Sequence, residues 1–395
     1  MIILYSQSIY INSVFFRDIV GQDDIKSRLI RGAAAGRVAH AQMFHGISGV
    51  GCLPMALAYA QYINCENPLP EDSCGQCPSC RKYAGLVHPD LHFVFPIINK
   101  KSSGDDGSVC DDFLPQFRNE VLKNPYLSLQ DWQEALQEDK KPIIYTREGD
   151  EIIRKLNLKA FEAQYKIMII WCAEQMHEAC ANKVLKVIEE PQGQTLFILI
   201  SDNIENILPT IRSRVQQIFF PPIDAEHLRR ELKSKGLYNE ASEFYIKNAK
   251  GSLNQLYKNI NNDDTNAYYL RLFIDMMRGC WNLNETTFGS QWRPILEQLT
   301  SLGRTSQTAF LQNAQRELRE NFVYNLSVDN LVYMNADELD FAQRFARFVN
   351  ERNIEQFMNE FALAEAHIEQ NANAKYVFLD LMLKINELLK LNMNP

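Results

Sequence analysis

From Phe16 onward the spacing of apolar residues changes several times, and each change marks a structural boundary. Residues 16–96 read as the opening of an α/β domain. Asp23 to about Gly36 has helical spacing, His40–Gly46 is a short buried strand, and Pro54–Ile63 is helical again. Residues 97–145 break the pattern and read as an insertion. Within them Lys100–Gly107 is polar and glycine-containing, which predicts a mobile loop, and about Asp112 to Asp139 predicts charged helix.

Alternation resumes over 146–222. A helix is predicted over Gly149–Ala163, followed by the continuous apolar run Tyr165–Trp171, the pattern of a central parallel strand. Glu178–Glu190 predicts a helix stopped by Pro191. Thr195–Ile200 is a second buried strand, and Val215–Phe220 a shorter one ended by Pro221 and Pro222. Strand–helix–strand order implies a parallel sheet with helices on both faces. After Ile223 the strand signals stop. Residues 223–260 predict a small helical unit, Asn261–Asp264 a boundary, and 266–395 a helical region throughout. There the apolar positions recur at helical spacing, as in Phe341, Phe345 and Phe348, then Val377, Leu381, Leu383 and Ile385. The Phe-rich stretch 341–361 reads as helix packing. No repeat of solenoid length is present.

Composition narrows the function. At 395 residues the chain exceeds one compact core and predicts two or three domains. It contains 46% hydrophobic and 23% charged residues, ordinary for a globular protein. No apolar run is long enough for a membrane span. Met1–Phe16 lacks a basic segment and a cleavage site, so no signal peptide is expected, and the domain is expected to start near Phe15. A net charge of −8 argues against a chain that binds DNA alone; any nucleic-acid role would run through protein partners. Nine cysteines without a secretory signal point to a reducing, cytoplasmic setting. Clustered cysteines then read as metal ligands and scattered ones as small buried hydrophobes.

Two motifs carry chemistry. The first is Gly46-Ile47-Ser48-Gly49-Val50-Gly51-Cys52-Leu53, between the predicted strand and helix. A working phosphate loop cradles phosphates with backbone N–H groups, grips them with Lys and holds Mg²⁺ with Ser or Thr. Gly46, Gly49 and Gly51 keep the cradle, but Cys52 and Leu53 stand where Lys and Ser/Thr belong. The strand ending at Ile170 should also lead into a Mg²⁺-binding Asp. Trp171-Cys172-Ala173-Glu174 follows instead, with Glu174 three positions too late. ATP binding and hydrolysis are therefore not expected. Taken alone, the glycines could equally form a tight strand-to-helix turn.

The second motif is Cys65, Cys74, Cys77 and Cys80, four thiols within 16 residues. Two x2 spacings make tight knuckles, and four soft ligands with no open position predict structural zinc; the alternative is unligated thiols in a loop.

At this point the chain resembles a known family. The loop, the cysteine spacing, Ala181–Pro191, Leu208–Val215 and Asn371–Lys375 are similar to the delta-prime subunits of bacterial DNA polymerase III clamp loaders, of the AAA+ class. The resemblance covers about 16–96, 144–222 and the tail. It implies an α/β AAA+ domain over 1–222 with a zinc module at 65–80, a helical lid over 223–265 and an all-α oligomerising collar over 266–395. It implies a subunit that is not catalytic alone, assembled with gamma/tau- and delta-type subunits, reaching the sliding clamp and primed DNA through the complex, with no membrane partner.

In such subunits a Ser-Arg-Cys motif sends its Arg into the neighbour's ATP site. Ser213-Arg214-Val215 matches at Ser and Arg, which makes Arg214 the catalytic candidate in trans. Ser201 and Asn203 fall where relatives sense the γ-phosphate. Asn254 falls where relatives place a lid arginine. An active ATPase subunit of the same machine is the alternative. His40 and His45 read as structural, and Arg229, Arg230, Lys233 and Lys235 as a solvated helix face.

Overall fold

The computed structural model describes residues 15–391 apart from 100–106, 139, 192, 240, 262, 283–291 and 328–331. The readings made for residues 1–14 and for the loop at 100–106 lie outside the described residues. In chain order the first part holds α1 (Asp23–Ala34), β1 (Ala41–Gly46), α2 (Cys52–Ile63), α3 (Pro78–Ala84), β2 (Leu91–Val94), α4 (Cys110–Lys123) and α5 (Leu129–Leu136). It continues with α6 (Thr146–Asn157), β3 (Lys166–Ile170), α7 (Glu178–Glu189), β4 (Thr195–Ser201), α8 (Pro209–Arg212), β5 (Gln216–Phe220) and α9 (Ala225–Ser234). Helices follow: α10 (Ser242–Ala249), α11 (Leu253–Asn261), α12 (Asp263–Trp281), α13 (Arg293–Ser301), α14 (Arg304–Asn325), α15 (Ala336–Phe345), α16 (Ile354–Glu369) and α17 (Ala374–Lys390).

The chain divides into two compact units. One comprises the residues up to 239 together with 249–257; the other comprises 240–248 and 258–395. The stretch 223–265 expected as a lid is shared between them. No described helix is long and apolar enough to cross a membrane.

The first unit is the expected α/β domain built on a parallel sheet. Its five strands pair in parallel in the order β2-β3-β4-β1-β5. Phe44 of β1 faces Ile200 of β4 on one side and Ile218 of β5 on the other. β3 and β4 are buried along their whole length, which explains their unbroken apolar runs. β5 is an edge strand and leaves Gln216, Gln217 and Phe219 exposed.

Two local readings are corrected. β2 was not foreseen, because four residues before the Phe95-Pro96 step carry too little pattern to separate strand from loop. The helix expected over Gly149–Ala163 is α6 and stops at Asn157. Tertiary contacts end it. Lys166 donates to the carbonyls of Lys155 and Leu156, both at 3.1 Å, and to that of Leu158. Asp90 accepts the backbone N–H groups of Phe161, Glu162 and Ala163 at 2.6, 2.9 and 2.9 Å. Those bonds hold 161–163 in a bend that no local propensity would select.

A third point concerns 97–145, read as an insertion, whose described residues pack into the core. Phe117 of α4 stacks on Phe95 with centroids 4.0 Å apart, and Trp132 of α5 meets both rings edge-on. Trp132 is fully buried and donates Nε1–H to the Pro96 carbonyl at 2.7 Å. The segment therefore forms part of the main core.

The second unit is all-helical around Phe273, Phe310, Phe357, Phe361, Phe378 and Met382, all fully buried. Leu381 and Ile385 of α17 face this core, whereas Leu383 is exposed. Two residues along a helix turn a side chain about 200°, so Leu383 cannot share their face. Arg316 of α14 binds both its neighbour Glu317 and Glu338 at the start of α15, which clamps the two helices together.

Candidate functional site

The phosphate-loop skeleton lies between β1 and α2. Gly49 (φ +80°) and Gly51 (φ +105°) adopt backbone conformations that side chains rarely tolerate. A Cβ on Gly49 would also stand 2.4 Å from Ser252 Oγ. The loop is closely covered. Leu253 donates its N–H to the Gly49 carbonyl at 3.0 Å. Asn254 is buried, donates to Asp131 at 2.7 Å and accepts from Asn124 Nδ2 at 2.7 Å. Gln22 Nε2 bonds the carbonyls of Val50 (3.3 Å) and Pro221 (2.8 Å).

Cys52, the first residue of α2, is buried where a working loop has Lys. Burial drives its thiol pKa far up, and the carboxylates of Asp202 and Glu174 push it further. Asp202 is itself raised to about 6, chiefly by desolvation of its carboxyl and then by Glu174, against a hydrogen bond from Ser48. Burial also raises Glu174, which is hydrogen-bonded by Ser201 and by the Asp202 N–H at 3.4 Å. Ser201 is fully buried, and the Asn203 side chain accepts from Glu205 N–H at 3.1 Å. Between these two candidates it is Asp202, not singled out from sequence, that stands by the loop.

This pair makes a stability prediction. Asp202 has a native pKa (about 6) above its reference value of 3.8, so its ionised form costs stability above pH 6. The cost is relieved as pH falls toward 4. Asp202 is an exposed residue even though its carboxyl is crowded by neighbouring protein atoms, so solvent screens most of the effect. Asp202→Asn should therefore stabilise the chain by about 1 kcal/mol at pH 7.5 and make no difference at pH 4. Denaturant midpoints at the two pH values measure this, and equal midpoints at pH 7.5 would count against it.

The four cysteines converge. The sulfurs of Cys65, Cys74, Cys77 and Cys80 all lie within 4.8 Å of one another. Cys65 follows the C-terminus of α2 and Cys77 caps α3, with Cys80 in its first turn. Backbone N–H groups already point at the sulfurs: Cys74 N to Cys65 at 3.3 Å, Cys77 N to Cys74 at 3.4 Å and Cys80 N to Cys77 at 3.4 Å. The N–H groups of Cys77 and Gln76 hold the Cys74 thiol at about 6, while burial raises Cys65 and Cys80. Zinc–sulfur bonds of about 2.3 Å in a tetrahedron require sulfur–sulfur separations of roughly 3.8 Å. Cys74–Cys80 at 3.9 Å and Cys65–Cys80 at 3.6 Å match that requirement. The module is tied down by Asp72, which accepts the N–H groups of Phe16 and Arg17, each at 3.2 Å. Asn64 adds bonds to Tyr83 and to Tyr165 O, both at 2.8 Å.

Arg214 lies between α8 and β5 with its side chain 42% exposed. It pairs with Glu189 at the end of α7 and donates to the Thr210 carbonyl at 3.0 Å. Elsewhere His40 bonds the Ile188 carbonyl (3.1 Å), His45 packs against Phe219, and Arg229 pairs with Glu226 on α9.

A family model described as DNA polymerase III, delta subunit, matches residues 21–224. The chain belongs to this family. Bacillus subtilis (strain 168) DNA polymerase III subunit delta′ is 30% identical over 197 residues, 50% of this chain and 46% of that protein. Escherichia coli (strain K12) subunit delta′ is 26% identical over 195 residues, 49% of this chain and 46% of that protein. Salmonella typhimurium subunit tau is 22% identical over 218 residues, 55% of this chain and 27% of that protein. The chain thus spans about half the length of the delta′ relatives it matches.

All the candidate residues of this DNA polymerase III family member, Gly46 to Cys80 and Arg214, fall inside the matched span. They do not form one site. The loop and the cysteines stand at opposite ends of α2, and Arg214 lies just before β5, at the end of the strands away from the loop that follows β1. What sequence reasoning missed is the ring of Asn124, Asp131 and Asp202 around the loop. Asp202 directly follows a buried strand, a signal that could have been read. Asn124 and Asp131 lie more than 70 residues beyond the loop and offered none.

Proposed function

We propose that this chain is a non-hydrolysing subunit of the clamp loader. It would support ATP-dependent loading of the sliding clamp onto primed DNA and offer Arg214 to a neighbouring subunit's ATP. Its partners are gamma/tau- and delta-type subunits, with residues 266–395 as the collar that holds the oligomer. Zinc on Cys65, Cys74, Cys77 and Cys80 has a holding role. With four thiolates and no open position, the centre can fasten α2 to α3 but cannot activate water.

The observation that carries the reading is the charge beside the loop. A triphosphate needs a cation there, and this chain presents a buried thiol flanked by two carboxylates. Asn254, held by Asn124 and Asp131, covers the same loop. The glycine cradle Gly46, Gly49 and Gly51 keeps its shape without its electrostatic anchor.

Titration of the purified chain with Mg²⁺ and a fluorescent ATP analogue tests this. No saturable binding is expected up to about 1 mM, a free energy weaker than roughly −4 kcal/mol. No ATP turnover is expected either. Micromolar binding or turnover by the lone chain would favour the alternative, an active ATPase motor subunit, which the similarity to tau keeps in view.

A further inference from the structure

In the C-terminal unit, residues of α12, α15, α17 and the turn after α15 enclose a cavity of about 250 Å³. Its aromatic lining includes Trp281, Phe345 and Phe348. Trp281 and Phe348 are half-buried with ring centroids 4.6 Å apart, and Phe345 lies 6.2 Å from Phe348. Three exposed arginines, Arg278, Arg344 and Arg347, also line it. Arg347 stands over the Phe348 ring at 4.9 Å, and Arg344 pairs with Asp340 one turn back along α15. Among the described residues no carboxylate lines the cavity.

Helix packing accounts for the buried Phe345 but not for this charge. The chain as a whole carries −8, yet three guanidinium groups gather around one aromatic cavity. Guanidinium groups take carboxylates as two-pronged hydrogen-bond partners, and arginine clusters are a recurring receptor for acidic motifs. A cavity of this size admits one large side chain. Strands of nucleic acid are instead held along grooves that track several phosphates and stack successive bases. A single compact cavity on an acidic chain offers no such track.

We propose that this cavity receives an acidic peptide segment of a partner protein, with one aromatic or large aliphatic side chain packed against Trp281 and Phe348 and its carboxylates on the three arginines. The proposal stands apart from the reading of the phosphate loop.

Fluorescence anisotropy on the full chain tests it. The probes are labelled hexapeptides of five aspartates ending in Phe, Trp, Leu or Ile. At least one should bind in the micromolar range and weaken with added salt. The matching peptides with asparagine for aspartate, or with a terminal Ala, should bind at least tenfold more weakly. Arg278→Glu combined with Arg347→Glu should abolish binding. The milder pair Arg278→Gln and Arg347→Gln, checked for an unchanged melting temperature, should weaken it at least fivefold. No binding by any peptide at millimolar concentration overturns the proposal, as does binding indifferent to the variants. A labelled oligothymidylate that binds tightly and is lost in the same variants, while the peptides do not bind, would assign the cavity to single-stranded nucleic acid instead.

Discussion

Removing the metal by chelation, or replacing one ligand in Cys80→Ser, should lower the melting temperature of the N-terminal unit by roughly 10 °C, a loss of about 3–5 kcal/mol. The size follows from where the cluster sits. Its ligands span the end of α2 and the start of α3. Cys80 is fully buried, and its backbone N–H already bonds Cys77. Once the cation is gone, adjacent thiolates either repel one another or take up protons, and the knuckles lose the charge that closes them. Loss is nonetheless partial, because Asp72 and Asn64 bond the module to its surroundings without metal. Elemental analysis should return one zinc per chain before treatment. A metal-free protein with an unchanged melting curve would remove zinc from the account of this fold.

Arg214→Ala should cut ATP hydrolysis at the one site it serves in the reconstituted complex by roughly 10³-fold, with assembly intact. The side chain is available for that task. Its pairing with Glu189 is a half-exposed surface contact, worth about 1 kcal/mol or less, and easily exchanged for a phosphate. Arg214→Lys should rescue little. Lysine keeps the charge but lacks the planar fork that meets phosphate oxygens in pairs. Assembly followed by gel filtration and turnover at saturating ATP separate the two functions. Unchanged turnover in Arg214→Ala would exclude the residue from the mechanism, while failure to assemble would make it an interface residue.

Much of this protein was legible in its sequence because the decisive signals are local. β3 and β4 are buried on both faces, so their apolar runs are continuous and could hardly be anything else. Four cysteines within 16 residues need only two tight turns to meet. The substitution at Cys52 is visible because a phosphate loop is a contiguous motif. Pro191 likewise marks the end of α7 without help from the rest of the fold: the helix expected to run to Glu190 ends at Glu189.

What the sequence could not supply lies in contacts between residues far apart along the chain. α6 ends at Asn157 because Lys166 and Asp90 satisfy backbone groups there in place of a further helical turn. Residues 97–145 read as an insertion, and only packing shows Phe117 and Trp132 joining Phe95 in the core. The clearest case is the phosphate loop. Its lost lysine is a fact of one position. The enclosing ring of Asn124, Asp131, Glu174, Asp202 and Asn254 comes from four separate segments. Hydrogen bonds and charges act through space at a few ångströms, so the chain had to fold before those residues could bear on the loop.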